Sequence, residues 1–103
     1  MLEESSLAEK VTLLEALASR TRFRVLKSLC AAEEMNVREL RNELGLPQST
    51  TSRELSFLRM RGFINFRREA QNHDYSCHHD GVRKLLQTLD KGTPATNNPE
   101  MTR

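Results

Sequence analysis

The stretch NVRELRNELGLPQSTTSRELSFLRMRG, residues 36–62, contains two short helical patterns separated by a tight turn. Asn36 followed by Glu39 is a capping-box pattern, which predicts the start of the first helix. Gly45 suits the left-handed position that ends a helix, and the Leu-Pro pair after it favours a turn. The second helix is predicted over residues 48–61, before the next glycine.

The second of these helices has few residues that can enter a core. Thr51, Leu55 and Leu58 recur at helical spacing, and we expect them to hold the helix to the domain. The side chains at its start are polar or cationic instead: Gln48, Ser49, Thr50, Ser52 and Arg53. This pattern is typical of a helix-turn-helix, whose second helix enters the DNA major groove with its first residues at the base edges.

The flanking residues extend this motif to a whole domain. Two helices are predicted before it, with Ser6 and Ser19 as their N-caps. Alternating residues over 63–77 predict a β-hairpin with its tip at residues 70–72, and a fifth amphipathic helix follows. The predicted fold class is mainly α with a small β-hairpin: a homodimeric winged helix-turn-helix of order α1-α2-α3-α4-β-β-α5.

The predicted organisation is a flexible N-terminus over residues 1–6, one domain over residues 7–91 and a disordered tail over residues 92–103. No apolar run reaches the roughly 18 residues of a membrane span, and no signal peptide is evident, so a cytoplasmic location is predicted. Two cysteines without a secretion signal do not predict a disulfide framework.

Positive charge is concentrated in the middle of the chain. Residues 38–68 carry seven arginines and three acidic residues, whereas the net charge of the whole chain is only +2. Arginine is the residue favoured for phosphate and guanine contacts, so the segment predicts a polyanionic partner, double-stranded DNA. No glycine-rich phosphate loop or nucleophile elbow occurs, so we predict neither an enzyme nor a cofactor.

Three stretches together resemble the ArsR/SmtB family of winged-helix repressors, and most closely its metal-independent NolR-type members. They are LLEALASRTRFRVLKSL, NVRELRNELGLPQSTTSRELSFLRMRGFI and FRREAQNHDYS. The family pattern is filled by Ala18, Arg22, Val37, Leu40, Gln48, Ser49, Ser52, Leu55, Arg67, Arg68 and Tyr75. The resemblance implies a homodimer, paired through its first and fifth helices, that binds an inverted-repeat operator and represses transcription.

The predicted interfaces follow from this arrangement. The predicted DNA-binding residues are Gln48, Ser49, Thr50, Ser52, Arg53, Arg67, Arg68 and Gln71, on helix 48–61 and wing 63–77. The predicted dimerisation residues are Leu7, Val11, Leu14, Leu85, Leu86 and Leu89. One residue departs from the family pattern, since Glu54 replaces the usual histidine of the recognition helix. Phosphates would repel an acid, so we expect Glu54 to face the body of the domain or to pair with Arg38 or Arg53.

Members of the family that this chain resembles can carry a metal or a redox sensor site. No metal site is predicted, although His73, Cys77, His78 and His79 form a local cluster with candidate ligands. Cys30 is expected to be a small buried hydrophobe, with a redox pair of Cys30 and Cys77 as the alternative. The effector stays unknown. The remaining alternative for the whole chain is a winged-helix module that binds proteins, such as an antirepressor or a dimerisation partner.

Overall fold

The computed structural model describes residues 2–92, which form five helices and a small antiparallel sheet. The elements are α1 (Leu2–Leu17), α2 (Arg20–Ala31), β1 (Met35–Asn36), α3 (Val37–Leu44), α4 (Gln48–Met60), β2 (Asn65–Glu69), β3 (Asn72–Ser76) and α5 (Asp80–Gly92). Within these residues, no helix combines the length and the hydropathy that crossing a membrane requires.

The predicted caps are present and explain where the central helices begin and end. The Ser19 hydroxyl accepts a hydrogen bond from the Arg22 amide at the start of α2, at 3.3 Å. At the start of α3, Asn36 and Glu39 each accept the other's backbone N–H at 2.9 Å. Gly45 ends α3 in the left-handed conformation, with φ at 68°. These interactions confirm the predicted helix-turn-helix boundaries.

The first helix is longer than predicted. It begins at Leu2, four residues before the expected N-cap at Ser6, so residues 2–6 of the predicted N-terminal segment belong to α1. Residues 3 and 4 are both glutamate, a residue type with good helix propensity. The predicted tail over residues 92–103 lies outside the described residues, apart from Gly92 at the end of α5.

The sheet contains a strand that the sequence did not predict. β2 and β3 form the predicted hairpin, and β1 adds to the other edge of β3, with Met35 opposite Tyr75. A two-residue strand has no alternation that could reveal it, so only its tertiary partner defines it. Because β1 leads directly into α3, this pairing joins the wing to the helix-turn-helix.

The core lies between α2, α4 and α5, and it fixes α4. Thr51, Leu55 and Leu58 are fully or almost fully buried, as predicted. Leu55 and Leu58 belong to one hydrophobic cluster with Leu26 and Leu29 of α2. Burying one leucine contributes about 1.5–3 kcal/mol, so a single face of α4 supplies enough energy to hold the helix in place.

Gly45 provides a test of the turn between α3 and α4. A methyl group added at Gly45 would meet no atom within 4 Å, so the only cost of Gly45→Ala is its positive φ. We expect the free energy of unfolding to fall by about 1–2 kcal/mol in urea titrations. Asn42→Ala, at an exposed position of the same helix, serves as the control. If the two variants were equally stable, the left-handed conformation assigned to Gly45 would be contradicted.

Candidate nucleic-acid interface

The N-terminus of α4 offers backbone amides together with polar side chains. Pro47 is its N-cap and makes no side-chain capping bond, and the first backbone bond of the helix runs from the Thr51 amide to the Pro47 carbonyl at 3.0 Å. The three amides before Thr51 therefore have no partner within the helix. Such amides and the helix dipole attract an anion such as a phosphate.

The predicted DNA-binding side chains of α4 lie on its accessible surface. Gln48, Ser49, Ser52 and Arg53 are exposed, and Thr50 is half-buried. The side chain of Arg53 is 70% exposed, which leaves most of its guanidinium available to a partner. The helix is thus divided between a buried face and an exposed polar face at its N-terminal end.

A polar cleft joins this surface to the wing. The cleft has a volume of about 400 Å³ and is lined by Asn36, Val37, Arg38, Gln48, Gln71, Asn72 and His73. It brings together Gln48 and Gln71, which the sequence predicted separately as DNA contacts. It also adds Arg38, Asn72 and His73, which the prediction missed. Arg38 belongs to the basic segment, but its place beside the wing depends on the pairing of β1 with β3.

The two wing arginines have different surroundings. Arg67 donates two hydrogen bonds to the Glu34 carboxylate, at 2.8 and 2.7 Å, and is also bonded to Glu69 and lies 3.5 Å from Asp74. The hydrogen bond from Arg67 lowers the pKa of the Glu34 carboxyl, and the same bond raises the pKa of Arg67. Arg68 is exposed. A DNA contact by Arg67 would have to displace these carboxylates, so we leave Arg67 out of the proposed interface.

Aromatic and cationic side chains hold the wing against the end of α4. The guanidinium of Arg59 lies over the ring of Phe66, 4.1 Å from its centroid. Phe66 in turn contacts the rings of His73 and Tyr75, at centroid distances of 5.5 and 5.1 Å. Because these contacts join β2 and β3 to the recognition helix, the wing and α4 form one continuous surface.

Glu54 faces the body of the domain, as expected. Its side chain is 10% exposed and lies 3.2 Å from Arg22 and 3.5 Å from Arg53. The expected pairing with Arg53 is therefore present, whereas the alternative partner Arg38 is not involved. Arg22 was missed as a partner because the two residues are far apart in sequence, on α2 and α4.

The predicted dimerisation residues of α1 form an exposed apolar stripe. Leu7, Val11 and Leu14 are 60%, 42% and 57% exposed, although their spacing places them on one side of the helix. The core-facing side of α1 is provided instead by Ala16, with Leu13 and Leu17 packed against the core. An apolar stripe of this kind is typical of a surface that another protein covers.

The predicted residues of α5 divide between two faces. Leu89 is 45% exposed and Leu85 is half-buried, whereas Leu86 is only 5% exposed and belongs to the core with Val82. Leu86, which the sequence predicted as a dimerisation residue, is thus buried within one protomer. Leu86 follows Val82 by four residues, which places both side chains on the inner face of the helix.

The histidine cluster does not form a metal site in the part of the chain that the structure describes. No group of three or more His, Cys, Asp and Glu side chains could hold a metal ion there. The ring of His79 accepts a hydrogen bond from the Val82 amide at 3.1 Å and so caps α5. His73 packs on Phe66, and Asp80 pairs with Lys84 at 3.1 Å.

The two cysteines lie next to each other. Cys30 is half-buried near the end of α2, beside Cys77, which is buried between β3 and α5 and donates a hydrogen bond from its thiol to the Phe63 carbonyl at 3.4 Å. The interaction with the Cys77 thiol and the charge of Arg83 outweigh burial and lower the pKa of Cys30 to about 7. The same interaction, with burial, raises the pKa of Cys77. The sequence favoured an inert, buried role for Cys30. Its proximity to Cys77 could not be predicted, because it depends on how α2 packs.

Comparisons with known proteins agree with this geometry. The model of the arsR family of bacterial regulatory proteins matches residues 19–65. The transcriptional activator HlyU of Vibrio cholerae is 35% identical over 88 residues, covering 85% of this chain and 81% of HlyU. Nodulation protein NolR of Rhizobium meliloti is 42% identical over 76 residues, covering 74% of this chain and 62% of NolR. A biofilm growth-associated repressor of Agrobacterium fabrum is 34% identical, covering 84% and 73%.

Solved structures extend the likeness to the whole fold. The reduced HlyU of Vibrio cholerae superposes with a TM-score of 0.79 at 35% identity, covering 88% of this chain and 96% of HlyU. NolR from Sinorhizobium fredii superposes with a TM-score of 0.77 at 37% identity, covering 86% and 88%.

The winged helix and its exposed recognition helix define a DNA-binding transcriptional regulator. The chain belongs to the ArsR family. The predictions of family, winged-helix fold and DNA-binding function are confirmed, whereas the homodimer stays a prediction, and the reading as a protein-interaction module is set aside. Because the relatives are transcriptional regulators, the prediction that the chain is not an enzyme is confirmed as well.

Proposed function

We propose that the protein binds an inverted-repeat operator as a homodimer and represses transcription from the promoter that contains it. The observation that carries this proposal is the surface formed by the N-terminus of α4 and the wing tip, around the cleft of residues 36–38, 48 and 71–73. Repression is supported by the activity in the name of the Agrobacterium fabrum relative. A promoter-reporter assay tests the direction of regulation. Repression lowers reporter expression, whereas activation, the activity in the name of HlyU, would raise it.

Each side chain of the proposed interface has a distinct role. Gln48 and Ser49 bind phosphate beside the free amides of α4, while Thr50, Ser52 and Arg53 face base edges. Arg68 and Gln71 on the wing contact the DNA backbone, together with Arg38 from α3.

The homodimer is supported by the exposed stripe of α1, which Leu85 and Leu89 of α5 supplement. A single recognition helix reads only a few base pairs, and a two-fold dimer places two such helices on the two half-sites of an inverted repeat.

Alanine variants of Arg53 and Arg68 distinguish base recognition from phosphate binding. We expect Arg53→Ala to weaken binding to the selected operator by about 1–3 kcal/mol and to affect random duplex less, because a guanine contact is lost. Arg68→Ala should weaken both and reduce the slope of log K against log salt by about 1. Fluorescence anisotropy on a duplex selected from a random pool measures both.

Lys27→Ala is the matched control for these arginine variants, since it removes one charge from α2, where Lys27 pairs with the exposed Asp90. It should bind both duplexes with nearly wild-type affinity. If Arg53→Ala weakens operator and random duplex equally, Arg53 does not read bases.

Val11 tests the dimer surface. We expect wild-type protein to be a dimer in light scattering, and Val11→Lys to shift the protein towards monomers and weaken operator binding. A lysine there would place a charge within the apolar stripe. Glu9→Lys is the control, since residue 9 lies about 200° around the helix from residue 11. A monomeric wild-type protein would contradict the proposal.

A second candidate function, redox sensing, is favoured by the contact between Cys30 and Cys77. The Cys30 thiolate would attack a hydroperoxide, breaking its O–O bond and releasing an alcohol or water while a sulfenic acid forms on Cys30. The sulfur of Cys77 would then attack the Cys30 sulfur, forming the disulfide as the S–O bond breaks, and the Cys77 proton would leave with the hydroxyl as water. The resulting bond would tie the end of α2 to the segment between β3 and α5, next to the wing.

Oxidation should depend on pH and change DNA binding. Because the pKa of Cys30 lies at about 7, its thiolate fraction rises with pH. We therefore expect the rate of disulfide formation with hydrogen peroxide to rise between pH 6 and pH 8, as followed by mass spectrometry. The oxidised protein should bind the operator more weakly, and Cys30→Ser should be insensitive to peroxide. Unchanged affinity of the disulfide form would remove this candidate.

A further inference from the structure

Arg22 occupies an unusual position between three elements. It lies in the first turn of α2, yet its Nε donates to the Ala16 carbonyl at 3.1 Å and a terminal nitrogen donates to the Glu15 carbonyl at 3.4 Å. Both carbonyls belong to the last turn of α1, where the Glu15 carbonyl also accepts a hydrogen bond from the Ala18 amide at 3.3 Å. Arg22 thus acts as a cationic cap for the C-terminus of α1.

The other side of the same guanidinium contacts α4. Its second terminal nitrogen donates to the Glu54 carboxylate at 3.2 Å, and the guanidinium lies over the Phe57 ring, 4.2 Å from the centroid. The side chains of Arg22 and Glu54 are only 20% and 10% exposed, so water screens this ion pair weakly. The remaining oxygen of Glu54 lies 3.5 Å from Arg53, which is proposed to read bases.

These contacts form one path from the proposed dimer surface to the proposed DNA surface. α1 carries the exposed stripe of Leu7, Val11 and Leu14, and α4 carries the exposed polar face. We propose that Arg22 and Glu54 are a positioning pair that sets the orientation of α4 relative to α1, and thereby the half-site spacing that the dimer accepts. This inference rests on the proposed homodimer and its inverted-repeat operator.

Geometry makes half-site spacing a sensitive reporter of this pair. One base pair of added spacing moves a half-site by about 3.4 Å and rotates it by about 35° around the DNA axis. A dimer whose recognition helices are held rigidly must therefore discriminate between neighbouring spacings. If the link between α1 and α4 is loosened, both helices can still enter their grooves at several spacings.

The test measures affinity for the selected operator and for versions with one base pair inserted or removed between the half-sites. Wild-type protein should prefer one spacing by about tenfold or more, comparable to the loss of one good base contact. We expect Glu54→Gln, which removes the charge and keeps the shape, to reduce this preference to about threefold or less. A loss of folded protein lowers all affinities equally and leaves the ratio unchanged, so the ratio separates positioning from stability.

Two further variants complete the experiment. Arg22→Lys keeps the charge but lacks the fork that reaches carbonyls and carboxylate together, so it should also relax the spacing preference. Asp80→Asn is the matched control, because it removes a carboxylate from an exposed pair on α5. It should retain the wild-type ratio.

The outcomes distinguish this inference from the proposed function. If wild-type protein shows no spacing preference, the dimeric operator fails and the positioning role fails with it. If wild-type protein discriminates and both Glu54→Gln and Arg22→Lys retain its ratio, the dimer stands and the positioning pair is overturned.

Discussion

The packing of α4 is the constraint on which the rest of the structure depends. A helix of 13 residues must bury one face to remain in place and must leave its N-terminal face free to meet DNA. Thr51, Leu55 and Leu58 meet the first requirement, and the polar residues from Gln48 to Arg53 meet the second. The turn at Gly45 and the aromatic contacts of the wing then place the neighbouring elements around this helix.

Fewer arginine side chains of the middle segment, residues 38–68, are available to a partner than its composition indicates. Arg67 is held by three carboxylates, and Arg59 lies over an aromatic ring. Arg53 and Arg68 are exposed, and Arg38 lines the cleft beside the wing. An arginine of this segment is therefore either held by contacts within the protein or available to DNA. Which of the two applies depends on the acidic and aromatic side chains that the fold places near it.

Much of the fold could be predicted because its signals are local. The capping box at Asn36, the left-handed Gly45 and the alternating wing residues each act within a few positions of the chain. The features that the sequence did not predict also have physical reasons. β1 is too short to show a period, and Leu86 could be assigned to the core only when the orientation of α5 was known.

The sequence by itself determined the winged helix-turn-helix, the polar start of α4 and the apolar stripe of α1, because helical period and capping chemistry are local properties. Only the tertiary structure decided which charges and thiols meet. Arg22 reaches Glu54 across 32 positions, Arg67 reaches Glu34 across 33, and Cys30 reaches Cys77 from another element. These partners are joined by packing of the helices and the sheet, and no spacing along the chain encodes such contacts.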